Sequence, residues 1–192
     1  MKRNDGKILG AIRNRKTAND KIYTPPVLAK KMIEMCDIKP TDRVLDPSRG
    51  GGVFYDNFPE CIKSYCEIDE GIDFFDYNQE VDIIIGNPPY SLWSKWIEKT
   101  ISLNPKKICY LYGAFNMCPN RFDLLQKSGY YVRKIVIVDV SWWLGTSFLV
   151  LLDKEQNDFF EINTNKIYCD KCGLSKCRNK SNININTCRF EN

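Results

Sequence analysis

Histidine is absent from all 192 residues. That excludes Ser-His and Cys-His nucleophile systems, His-ligated metal sites and any histidine general base. An apolar signal-peptide core is lacking too, because the N-terminal stretch is charged. Long apolar runs are scarce. The only one of membrane-span length, Ile135 to Leu152, is interrupted by Asp139, Ser141 and Gly145-Thr146-Ser147, and reads as two strands joined by a short loop. A membrane protein is therefore not expected. Nine cysteines without a secretion signal point to reduced thiols or metal binding rather than disulfides. The expected setting is the cytoplasm of a bacterial or phage-infected cell. A net charge of +4 permits a polyanionic partner without demanding one.

What is present centres on Asn87-Pro88-Pro89-Tyr90, directly after the apolar run Val81-Asp82-Ile83-Ile84-Ile85-Gly86. β-branched residues bounded by Gly and Pro read as a buried strand that the prolines end. In open α/β sheets, ligands bind at that strand end. An exocyclic amine is a poor nucleophile because its lone pair is delocalised. Two acceptors aimed at its N–H groups would localise that pair on a pyramidal nitrogen. The Asn87 side-chain oxygen and the Pro88 carbonyl are candidates, the latter held rigid by proline. Tyr90 is placed to stack on a flat substrate. The plainer reading, that Pro-Pro stops a strand and Asn makes a turn, stays open on the tetrapeptide alone.

Residues 1–20 form a basic segment carrying Lys2, Arg3, Lys7, Arg13, Arg15 and Lys16. It reads as a solvated tail or as an arm on a nucleic-acid backbone. Tyr23-Thr24-Pro25-Pro26 then opens a helix, with Thr24 as the expected N-cap and Pro25 in the first turn. Arg43-Val44-Leu45 is a short strand. Asp46-Pro47-Ser48-Arg49-Gly50-Gly51-Gly52 follows as a glycine turn expected to lead into a helix. It is neither a Walker loop, since no Gly-Lys-Ser/Thr follows, nor G-x-G-x-x-G, yet it suits close backbone approach to a ligand. Ile62 to Asp69 reads as the second strand, with Glu67 placed for a ribose diol. Gly71 to Asp76 reads as a third strand edge, so the crossover helix between them is reduced or lost. Ser91 to Ile101 is a helix whose Trp93 and Trp96 read as core. Lys107 to Tyr112 is the fifth strand, and Asn120 to Ser128 a helix ended by Gly129. Two last strands, Arg133 to Val140 and Ser147 to Leu152, flank a loop holding Trp142 and Trp143. Either tryptophan is a candidate to stack on a base or to cover the sheet end.

From Phe159 the composition changes to Asn, Lys and Cys. Cys169-x2-Cys172-x4-Cys177-x10-Cys188 has the spacing of a tetrahedral metal site. A four-cysteine zinc knuckle is expected, with free thiols or a disulfide pair as alternatives. Cys172→Ser or chelation should release one zinc per chain in elemental analysis; freshly reduced protein without metal would refute the knuckle. Cys36, Cys61, Cys66, Cys109 and Cys118 sit in or beside apolar segments and should pack there. The expected organisation is a basic arm over 1–20, a main domain over 21–158 and a cysteine-rich segment over 159–192.

Taken in order, Tyr23-Thr24-Pro25-Pro26, Asp46-Pro47-x-x-Gly50-x-Gly52, Glu67 with Asp73, and Asn87-Pro88-Pro89-Tyr90 resemble the S-adenosylmethionine-dependent N6-adenine DNA methyltransferases. The resemblance covers about residues 20 to 153. It implies a Rossmann-like class I α/β fold, with a seven-stranded, mostly parallel sheet whose last strand is antiparallel. It also implies that Tyr23, Thr24 and Pro25 contact the methionine part of the cofactor, with Asp46, Pro47, Gly50 and Gly52 near its amino acid and ribose. Glu67 matches the ribose acid, Asp73 the acid on the adenine amine, and Phe74 lies beside that ring. Asn87 and Pro88 would bind the target amine and Tyr90 would stack on the extruded base, with Trp142 or Trp143 in the second stacking position. After the last strand only the cysteine segment remains, so a compact form lacking a large target-recognition domain is expected. Specificity would be short or relaxed, or come from the knuckle, the arm or a second subunit.

The tetrapeptide also occurs in methyltransferases of protein glutamines and of RNA bases. Thr24-Pro25 ahead of the glycine loop favours DNA, and the basic segments favour nucleic acid. RNA stays open. A non-catalytic nucleic-acid-binding subunit of the same fold is the reading from another class; intact Asp46, Gly50, Asn87 and Pro88 argue against it.

Overall fold

The computed structural model describes residues 22–140, 146–156 and 161–167. Among the described residues seven strands form one sheet: β1 (Arg43–Asp46), β2 (Ile62–Tyr65), β3 (Ile83–Gly86), β4 (Lys107–Gly113), β5 (Tyr131–Val140), β6 (Ser147–Asp153) and β7 (Glu161–Ile167). Their order is β2-β1-β3-β4-β6-β5-β7. Only β6 runs antiparallel to its neighbours, β4 and β5.

Period-two alternation sends side chains to both faces. Val44, Ile83, Ile85, Cys109, Leu111 and Leu149 meet Leu28, Ala29 and Met32 of α1 (Pro26–Cys36). On the other face Leu45, Ile84, Ile108, Tyr110 and Val150 pack with Trp93, Trp96 and Ile97 of α2 (Trp93–Ser102) and Leu125 of α3 (Pro119–Lys127). Both tryptophans are buried, as their helical spacing implied. Cys36, Cys66 and Cys109 are buried free thiols, and Cys61 and Cys118 are partly covered. Among the described residues no helix is long and apolar enough to cross a membrane.

The sheet is pinned at the end far from the strand C-termini. Buried Asp82 accepts from the Arg43 backbone N–H at 2.9 Å and from Arg43 Nε at 2.9 Å. Lys106 Nζ lies 3.0 Å away. The Arg43 guanidinium holds the Asp82 carboxyl well below the usual carboxylate range. One carboxylate thus ties the starts of β1, β3 and β4 together.

Four expectations need correction. Gly71 to Asp76 is not a strand: it holds a 3₁₀ turn, Phe74–Asp76, and one isolated bridge, Glu67 to Ile72. The sheet still has seven strands because β7 adds to its far edge, parallel to β5 from Lys134↔Glu161 to Val140↔Ile167. The strand expected as the last, Ser147 to Leu152, is β6 and is antiparallel as expected; it is only not the last, because β7 follows it. The glycine turn leads only into a 3₁₀ turn, Tyr55–Asn57. Finally, the cap of α1 is Pro25, with no side-chain hydrogen bond, and Thr24 is buried before it. With Pro26 at the helix start, one N–H that would need a cap is already missing.

Candidate active site

β1 and β3 are hydrogen-bonded neighbours whose onward connections run in opposite directions, β1 to β2 and β3 to β4. This is the switch point at which open α/β sheets bind ligands. A cavity of about 530 Å³ opens there. The loop after β1 lines it with Pro47, Ser48 and Gly50, and the end of β3 with Asn87 and Pro89. The two loops touch because Gly86 has no side chain: a Cβ there would stand 3.0 Å from Pro47 Cδ.

The glycine loop takes its shape from positive φ values, +51° at Gly50 and +81° at Gly52. A Cβ on Gly52 would lie 2.4 Å from Asp56 Oδ2. Gly52→Ala is expected to distort the loop, at a strain of roughly 1–2 kcal/mol; an unchanged melting temperature would contradict this. Arg49 braces the loop, pairing with Glu70 at 3.1 Å and Asp56 at 3.6 Å and lying over the Tyr65 ring at 4.8 Å.

Glu67 and Asp73 sit on two short turns in place of a crossover helix. Glu67 Oε2 accepts from the Gly50 N–H at 2.6 Å and Oε1 from the Asp69 N–H at 3.2 Å. Asp73 Oδ1 accepts from the Phe75 N–H at 2.9 Å. Phe74 anchors this turn, 2% exposed and tilted on Trp96 with ring centroids 4.4 Å apart. Burying such a ring contributes about 2 kcal/mol. Both acids, Phe74 and Trp96 line the cavity.

Asn87 is oriented by a remote contact. Its Nδ2 donates to the Ile22 carbonyl at 3.0 Å, and Ser48 Oγ donates to its backbone carbonyl at 3.3 Å. Asn87 Oδ1 is buried without a hydrogen-bond partner. A buried, unpaired acceptor costs on the order of 1–3 kcal/mol. The chain here holds an amide with its donor side used and its acceptor side open. Pro88 is buried. The Tyr90 ring leans edge-on to Trp93 at 6.1 Å, and a Cβ on Gly113 would meet it at 3.4 Å.

Asp46 is 0% exposed and does not line the cavity; its Oδ1 accepts from the Ser48 N–H at 3.2 Å and its Oδ2 is buried without a partner. Burial, helped by the nearby Glu67 charge, pushes its carboxyl up to about 7 against the Ser48 and Tyr55 backbone N–H groups, which favour the ionised form. This group can take up or release charge beside the cavity near neutral pH.

Of the residues singled out in the sequence, Tyr23, Pro47, Gly50, Glu67, Asp73, Phe74, Asn87 and Pro89 line the cavity. Thr24, Pro25, Asp46, Gly52, Pro88 and Tyr90 are not among its lining residues. Trp142, Trp143, Cys169, Cys172, Cys177 and Cys188 lie outside the described residues, as does the basic arm. Among the described residues no cluster of Cys, Asp and Glu could hold a metal ion. Ser48, Leu92 and Trp96 line the cavity without having been singled out for it. Ser48 lay within the quoted loop; Trp96 gave only a helical-spacing signal.

No family model matches the chain, and no curated protein matches it by sequence. Solved structures do match in fold. A 23S rRNA methyltransferase, ErmE, superposes with a TM-score of 0.56 at 13% identity, over 70% of this chain and 69% of its own. A modification subunit of a putative type I restriction enzyme from Vibrio vulnificus gives 0.54 at 14% identity, over 90% of this chain and 52% of its own. A dimethyladenosine transferase from Plasmodium falciparum gives 0.54 at 19% identity, over 69% and 62%. This chain thus spans about half of the Vibrio subunit. The chain has the Rossmann-like class I fold that these structures share.

Proposed function

We propose that the chain is an S-adenosylmethionine-dependent methyltransferase acting on the N6 amine of adenine in DNA. The observation that carries this reading is Asn87, with Nδ2 tied to the Ile22 carbonyl and Oδ1 buried and unpaired beside the cavity. A structural asparagine would satisfy both ends of its amide. One that leaves a buried acceptor open at the end of β3 is set to receive an N–H from a ligand.

The cavity residues fit the cofactor. A volume of about 530 Å³ suits a nucleoside with an amino-acid tail. Glu67, fixed by the Gly50 N–H, would accept from a ribose diol. Asp73 would accept from the adenine amine, with the flat side of the base toward Phe74 and Trp96. Bound there, S-adenosylmethionine supplies an electrophilic methyl group on a sulfonium.

The chain's own residues do the rest. Asn87 Oδ1 and the Pro88 carbonyl accept the two N–H groups of the target amine and favour a pyramidal nitrogen. Tyr90 holds the base plane. No strong general base is needed, because the amine becomes acidic only as its new bond forms; the missing histidine is no handicap. Positioning and electrostatics supply the rate. A base in duplex DNA must leave the stack to reach this edge.

RNA is the second reading, favoured by the likeness in fold to ErmE. Target recognition is assigned to segments outside the described residues, including a zinc knuckle at Cys169, Cys172, Cys177 and Cys188, or to a second subunit. Equilibrium binding of labelled S-adenosylmethionine tests the cofactor assignment: one molecule per chain, displaced by S-adenosylhomocysteine, is expected. A chain that binds neither would refute it.

A further inference from the structure

We propose that Phe115 is a stacking platform for the nucleobase adjacent to the one held at Asn87 and Tyr90. Phe115 is 75% exposed, the most exposed of the large apolar side chains among the described residues. A single exposed phenylalanine on an ordinary surface needs no explanation. This one stands in the turn Ala114–Asn116, immediately after β4 and at the same sheet edge as the end of β3. Gly113, two residues earlier, lies against the Tyr90 ring, its Cβ position 3.4 Å from Cε2.

The turn is held rigidly. Asn116 is 7% exposed and accepts from Arg121 Nη1 twice, at 2.9 Å on its side-chain oxygen and 3.2 Å on its carbonyl. The Met117 N–H donates to the Ala114 carbonyl at 3.3 Å. Backbone on both sides of Phe115 is therefore anchored, while its ring faces water. The other aromatics nearby are committed to packing: Trp93 and Tyr112 are buried with centroids 4.5 Å apart, and Tyr112 stacks on Phe122 at 5.6 Å.

The chemistry of the proposed reaction supplies the ring's partner. Extruding one base breaks its stacking with both neighbours. A rigidly mounted aromatic ring at the same sheet edge replaces one of those contacts, whatever the base, because every base has a π-face. Stacking of this kind contributes about 1–3 kcal/mol per base.

This inference rests on the nucleic-acid reading above, and its test keeps the two separable. Full-length Phe115→Ala, Phe115→Leu and Phe115→Trp proteins are compared with the parent for KM toward an adenine-containing oligonucleotide, kcat and cofactor affinity. The expected result is a KM raised about tenfold in the Ala and Leu proteins and retained in the Trp protein. Turnover at saturation and cofactor affinity should not change. Parental KM in the Ala protein, full rescue by Leu, or parallel losses of KM, kcat and cofactor affinity would each overturn the role of Phe115 alone. A parent that methylates no oligonucleotide, DNA or RNA, would overturn the nucleic-acid reading and this inference with it.

Discussion

Asn87→Ala should lower methyl transfer by about a hundred- to a thousandfold, the loss typical of removing one preorganised polar group from a reacting centre. Cofactor affinity should stay close to the parent value. The side chain is one wall of a large cavity whose other contacts, Glu67, Asp73 and the glycine loop, come from different elements. Stability should fall little, because the substitution removes one hydrogen bond to Ile22 and also a buried, unpaired oxygen. Asn87→Asp is the sharper probe. Its carboxylate offers acceptors to the amine but cannot donate to the Ile22 carbonyl, so the strap that aims the group is lost. Asp should therefore be nearly as impaired as Ala. Single-turnover rates with saturating cofactor measure the effect; turnover within a few-fold of the parent would remove Asn87 from the chemistry.

Asp46→Asn should raise the melting temperature of the ligand-free protein at pH 8 while weakening cofactor binding. The Asp46 carboxyl titrates at about 7 in the folded chain against an ordinary value of 3.8. Its contribution to stability is fully present below about pH 4 and is lost as pH rises through about 7, because the unfolded chain gives up this proton first. At pH 8 the protein holds a buried carboxylate with an unpartnered Oδ2. Relief from that burden is on the order of 2 kcal/mol, or about 5 °C for a chain of this length. Binding has the opposite sign. A sulfonium favours the ionised carboxylate, so affinity for S-adenosylmethionine should climb with pH up to about 7 and then level off, whereas uncharged-sulfur S-adenosylhomocysteine should show a shallower rise. The Asn protein should bind S-adenosylmethionine about tenfold more weakly, with no such slope. Thermal scans and calorimetry at pH 6 and pH 8 check both signs. A melting temperature that falls at pH 8 would contradict the burial argument.

Much of this site is legible in the chain because the relevant signals are local. An apolar β-branched run ending in Asn-Pro-Pro-Tyr places Asn87 at a strand end whatever surrounds it, and Asp-Pro before three glycines places a tight loop after β1. The misreading of Gly71 to Asp76 has a local cause too. Asp73 beside Phe74 and Phe75 resembles a strand edge, but the carboxylate binds the Phe75 N–H two residues on and closes a turn instead. Glu67 does the same with Asp69. Thr24 looked like a cap, yet Pro25 and Pro26 start the helix without one. Contacts that depend on chain crossing leave no such trace. Nothing in the sequence tells that the Ile22 carbonyl meets Asn87, or that Trp96 turns toward the cavity beside Phe74. β7 was hidden for another reason: Glu161 to Ile167 is polar for a strand, and its pairing comes from lying beside β5 rather than from its own propensity.

Transfer of label from S-adenosylmethionine to unmethylated duplex DNA, single-stranded DNA and RNA in parallel, with nucleoside analysis of the products, decides whether the chain methylates adenine in DNA. N6-methyladenine in DNA, lost in the Asn87→Ala protein, is the predicted result. Label in RNA alone would keep the fold and the site and replace the substrate. Absence of label from every nucleic acid, with the cofactor bound, would contradict the claim.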